Sequence, residues 1–178
     1  MGTSRNSAPV SASYGFQEAT KDVQLALESE APQTIASNTV SIDVVEFRRL
    51  ANQGILVKDR KILRQAVFLY ANEFLSGFTL RRCPEFDRWQ FSTAEALRDR
   101  FREVLAILVD QLIQRGCAAD ALEYARRWLV HDELDEAAHR AAMRAHAALG
   151  RRSEALRQYD RCTLVLRREL GAEPAART

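Results

Sequence analysis

The residues of this sequence that could do chemistry are few, and their spacing does not suit it. His139 and His146 stand seven apart. On one helix that separates the rings by about 10 Å along the axis, whereas two imidazoles sharing a zinc ion need four-residue spacing. His131 precedes them, and no neighbouring cysteine completes a ligand set, so partly exposed helix histidines are expected. The close carboxylates are Glu85 with Asp87, and the group Asp132, Glu133, Asp135 and Glu136. The first pair falls in a connector. The second group falls at a helix start, where acids favour the positive end of the dipole. Neither offers the contrasting environments of an acid/base pair. Cys83, Cys117 and Cys162 are odd in number and form no C-x-x-C, which argues against a disulfide framework and for a reducing compartment. Cys117, in a turn, is the one that could be mildly reactive. No Gly-rich phosphate cradle is present. The expectation is no enzyme, no cofactor and no metal.

Arginine doublets at Arg48-Arg49, Arg81-Arg82, Arg126-Arg127, Arg151-Arg152 and Arg167-Arg168 raise the question of nucleic acid. They are scattered and interspersed with acids. A net charge of +2, from 26 Lys+Arg against 24 Asp+Glu, is too small to announce such binding by bulk electrostatics. A solvated, salt-bridged surface is the better reading.

The elements that must position these residues are mostly helical. The 178 residues are 47% hydrophobic and 28% charged, an ordinary globular balance. Seven glycines and four prolines are too few for an all-β chain with many tight turns. The most apolar run, Val104 to Val109, is far shorter than a membrane span, and no secretory signal is evident, so a cytoplasmic location is expected.

Residues 1–13 read as a disordered tail or expression remnant. Over 14–30, Phe16, Ala19, Val23, Ala26 and Leu27 recur at helical spacing. Thr34 to Ile42 alternates around a Ser37-Asn38 turn and reads as a β-hairpin. Glu18, Asp22, Glu28 and Glu30 make this stretch acidic, the wrong sign for a DNA-contacting surface.

From residue 44 to 178 the helical pattern is nearly unbroken. Helices are expected over 44–52, stopping at Gly54, and over 59–74. A connector over 79–90 is pinned by Phe86 and Trp89. Ser92 with Glu95 reads as a capping box, opening a helix with Leu97, Phe101, Val104, Leu105, Leu108 and Leu112 inward. Three more follow, over 119–130, 135–149 and 153–170, the last with Leu156, Tyr159, Leu166 and Leu170 inward and Gly171 as its stop.

Gly116 and Gly150 are 34 residues apart, as are Ala121 and Ala155, and Leu122 and Leu156. Thirty-four is the period of tetratricopeptide (TPR) repeats. The expected fold is therefore all-α, a TPR-like stack of antiparallel helix pairs, 92–115 with 119–130 and 135–149 with 153–170. The first helices of such pairs line a concave surface. There Arg98, Arg102, Arg140 and Arg144 form a candidate partner groove, able to hold acidic or carboxylate-bearing peptides by bidentate pairing. A solvated helix face is the plainer alternative.

Three segments carry a resemblance. Ile42 to Phe47 with Tyr70 to Phe78, then Pro84 to Trp89, and most specifically Ser153 to Asp160 followed by Glu169-Leu170-Gly171-Ala172-Glu173-Pro174, resemble the bacterial transcriptional activator domain (BTAD) of SARP-type regulators over about residues 42–174. The resemblance implies a TPR-like domain on the C-terminal side of a winged-helix DNA-binding domain. Residues 14–43 are then similar to the last helix and wing of that domain, with Ser37 and Asn38 as the candidate wing turn. What it implies of function is protein interaction: self-association, including a homodimer, or contact with other regulator domains or the transcription machinery. DNA would be reached only through a complete winged-helix domain, which residues 1–13 leave no room for. A stand-alone helical-repeat adaptor for a peptide or protein is the alternative.

Overall fold

The computed structural model describes residues 43–178. The expected 14–30 helix and the hairpin turning at Ser37-Asn38 lie outside the described residues. Within them there are six α-helices and no strand: α1 (Asp43–Val57), α2 (Arg60–Leu69), α3 (Pro84–Gln114), α4 (Ala118–His131), α5 (Glu136–Ala148) and α6 (Arg152–Leu170). Each packs on its successor, α1 and α5 also touch α3, and α6 rests on α5 alone among the helices.

The central element is α3, and its stripe is as expected. Leu97, Phe101, Val104, Leu105, Leu108 and Leu112 are all 2% exposed or less. Its start differs from expectation. Pro84 occupies the first turn of α3, where a missing N–H costs nothing and a fixed φ helps. The supposed connector is thus split, and residues 84–90 are already helix. Ser92 lies inside the helix and its hydroxyl donates to the Trp89 carbonyl at 3.0 Å, so it caps nothing. The helix begins early because Phe86 and Trp89 are held by rings of the preceding loop. Phe74 meets Trp89 and Phe78 meets Phe86, each pair with centroids 5.5 Å apart. For the same reason Phe74 belongs to the loop, and α2 ends at Leu69.

Gly54 does not stop α1. It is buried within the helix, and a β-carbon there would stand 2.9 Å from Leu63 Cδ2 and 3.2 Å from the Leu63 backbone nitrogen. The glycine lets α2 approach α1. The chain reverses instead at Lys58, with φ +52°, and its carbonyl accepts from Gln111 Nε2 at 3.0 Å.

The 34-residue offset has a structural counterpart. Gly116 and Gly150 adopt φ of +75° and +72°. The amide after each, Cys117 and Arg151, donates back five residues to Leu112 O at 2.8 Å and His146 O at 2.9 Å. This is a Schellman closure in both cases. One turn therefore joins α3 to α4 and α5 to α6.

Candidate interaction surface

The four arginines expected to line a groove lie on α3 and α5, and each is engaged by the chain itself. Arg98 pairs with Glu73 at 2.8 Å and with Glu95. Burial works against its charge, but the Glu73 hydrogen bond and the two carboxylate charges outweigh it, so its pKa is raised. Arg102 reaches Asp99 at 3.0 Å, Asp132, and Asp135 at 3.4 Å. Its pKa is also raised, with burial opposing and the Asp132 hydrogen bond prevailing. Arg140 donates to the Thr178 hydroxyl at 2.9 Å, and Arg144 pairs with Asp110 at 2.7 Å.

The acidic cluster at 132–136 has a mechanical use. Asp135 caps α5, one carboxylate oxygen accepting from Ala137 N at 2.8 Å and the other from the Trp128 indole at 2.9 Å. Asp132 accepts from Leu134 N at 3.0 Å while holding Arg102. Glu136 accepts from Thr178 Oγ1 and Ala175 N, at 2.6 and 2.9 Å. These bonds hold its carboxyl below the usual range and tie the 171–178 tail to the head of α5. Together the acids fasten α3, α4, α5 and the tail.

Two of the histidines, His139 and His146, correct the expectation of partial exposure, while His131 is partly exposed as expected. His139 is 1% exposed, with Nε2 3.0 Å from the Glu133 carbonyl and Nδ1 2.6 Å from Gln158 Nε2. The Nε2–H tautomer satisfies both contacts, donating to the carbonyl and accepting from the amide. His131 packs edge-on against Tyr70 and Phe101. Burial, with Arg127 adding, pushes its pKa down. His146 is also buried, its Nδ1 lacks a partner, and burial with Arg126 lowers its pKa. The signal was available in sequence: with Ala142 between them, His139 and His146 lie along the alanine stripe of α5. No cluster of three metal-ligating side chains exists among the described residues. Cys162 is wholly buried and its thiol is pushed up by that burial.

Two hollows open beside the C-terminal end of α4. One, of 870 Å³, lies between α4 and α6, with Arg126, His146, Gln158 and Arg161 in its wall. The other, of 490 Å³, is lined by residues 71–76 and by Val130 and His131. Val130, 84% exposed, forms the ridge between them. None of Arg98, Arg102, Arg140 and Arg144 lines either hollow.

A larger departure is on α6. Leu166 is buried as expected, joined by Cys162 and Val165, but Leu156, Tyr159 and Leu170 point outward, at 59%, 40% and 60% exposure. No helix among the described residues covers that side. Nor is any helix among the described residues long and apolar enough to cross a membrane.

Comparison with curated proteins and with solved structures finds no match. The family model described as the bacterial transcriptional activator domain matches residues 42–178, the span of all six helices. This chain belongs to the bacterial transcriptional activator domain family.

Proposed function

We propose that this chain is a non-enzymatic regulatory domain of a SARP-type transcriptional regulator, and that its repeated helix pairs form a TPR-like stack working by protein contact. The contact is self-association or docking on another regulator domain or the transcription machinery. The observation that carries this reading is the pairing of the family match over 42–178 with a last helix whose outer side no other described helix covers. The polar residues favour it too, because Asp132, Asp135, Glu136, His131 and His139 are committed to caps, ion pairs, hydrogen bonds and ring contacts. A two-hybrid assay in bacteria tests it, pairing the full chain with itself and with domains of RNA polymerase. A signal with at least one is expected; none with any would contradict the reading.

A stand-alone adaptor for a peptide is the second reading, and the 870 Å³ hollow is the feature in its favour. If the arginine face held an acidic peptide instead, Arg140 would be its available member, since Arg98, Arg102 and Arg144 would first have to release their own carboxylates.

A further inference from the structure

The uncovered side of α6 carries a helix-pairing pattern. Leu156, Tyr159, Thr163, Leu166 and Leu170 follow one another at spacings of 3, 4, 3 and 4, the a/d seam of a two-helix interface. Leu166 lies at the edge where this seam meets α5, while Leu156, Tyr159 and Leu170 are open. The Thr163 hydroxyl is already spent on the Tyr159 carbonyl at 3.2 Å. Thirty-four residues earlier, the counterparts of Leu156 and Tyr159 are Leu122 and Ala125, both buried, on a helix that α5 covers. The repeat thus presents at α6 a surface that is covered by a helix at α4. The 171–178 tail does not cover it: Ala175 and Thr178 are bound to Glu136, Glu173 reaches Arg167 at the flank of the seam, and Leu156, Tyr159 and Leu170 stay exposed.

From this we infer that α6 pairs with α6 of a second copy of the chain, antiparallel across a two-fold axis near Thr163. Charge selects the partner and its direction. Asp160 and Arg167 lie on the same flank of the seam, the one away from α5. Asp160 makes no ion pair among the described residues, while Arg167 holds the exposed Glu173 at 2.6 Å, a solvent-screened partner that it would share or exchange on pairing. In an antiparallel pair like flanks meet, so Asp160 of each copy faces Arg167 of the other, twice. A parallel pair would need the opposite flank, where Cys162 is fully buried against the chain's own core. The axis also sets Leu156 opposite Leu170. The helix is about 28 Å long at 1.5 Å per residue, which makes a small, reversible contact.

This inference rests on the self-association arm of the proposed function, and the test separates the two. Sedimentation equilibrium of the full chain, from about 5 to about 200 µM, is compared with the double variant Leu156→Glu/Tyr159→Glu. Both residues are exposed, so circular dichroism, and thermal unfolding at a concentration where both proteins are monomers, should be unaltered. The expected result is a wild-type monomer–dimer equilibrium and at least about a tenfold weaker dimer in the double variant. Asp160→Arg should also weaken the dimer, and adding Arg167→Asp should restore it. A dimer indifferent to all these changes would overturn the α6 interface while leaving self-association standing. A wild-type monomer throughout the range would overturn both.

Discussion

The indole nitrogen of Trp128 donates to Asp135 at 2.9 Å, and the second oxygen of that carboxylate caps α5. One side chain thereby ties the end of α4 to the start of the next hairpin. Asp135→Ala removes a cap worth about 1 kcal/mol and leaves the N–H of a Trp that is 3% exposed unsatisfied, at about 1–3 kcal/mol. A loss of about 2–3 kcal/mol in urea unfolding is expected; a loss below about 0.5 kcal/mol would show that the junction does not depend on it.

The arginines of α3 and α5 should separate in the same assay. Arg102→Ala strands Asp132 and Asp135, whose side chains are 21% and 15% exposed, and should cost about 2 kcal/mol, below the 3–5 of a fully buried pair. Arg144 and Asp110 are each about half exposed, so Arg144→Ala should cost no more than about 0.5 kcal/mol. Equal costs would remove the distinction between a structural post and a surface pair.

Gly54→Ala should destabilise the fold although alanine is the better helix former. The gain of about 1 kcal/mol in propensity is set against overpacking at about 1–3 kcal/mol, because the new methyl meets Leu63 backbone as well as its side chain. A net loss of about 1 kcal/mol is expected. A net gain would mean that α2 can move away freely.

Stability should fall as pH drops below neutrality, before the carboxylates titrate. His131 and His146 both have folded-state pKa values below the ordinary 6.5. The unfolded chain therefore binds protons first, and its uptake pulls the equilibrium away from the fold. The stabilisation is complete above about pH 6.5, the ordinary value, and is lost as pH falls through the lower folded values. Thermal unfolding at pH 7.5 and 5.5 checks this, with a lower Tm expected at pH 5.5 and a smaller difference in His146→Gln. A Tm that rises on acidification would contradict the burial of His146 and the partial burial of His131.

Sequence periodicity was sufficient where one face of a helix meets the core. The α3 stripe and the matched turns at Gly116 and Gly150 were legible for that reason. It failed where tertiary contact decides. Pro84 looks like a break until Phe74 and Phe78 are seen holding Phe86 and Trp89, and Gly54 looks like a stop until Leu63 is placed above it. On α6 the apolar residues lie on two adjoining stripes, and periodicity alone does not say which one the chain covers. Periodicity places Leu156 and Tyr159 inward, yet Cys162 and Val165 occupy the buried side. The arginines of the candidate groove fall on α3 and α5. The partners Glu73, Asp132 and Asp110 are distant in sequence and invisible to local spacing, unlike Glu95 and Asp99 three residues away.

The most direct test of regulation by protein contact is sedimentation velocity of the full chain at low salt, alone and with a labelled random-sequence duplex. The account predicts a self-associating protein and a duplex that sediments as free DNA. A monomer that carries the duplex with it, and releases it steeply as salt is added, would contradict the account and make direct DNA binding the chain's function.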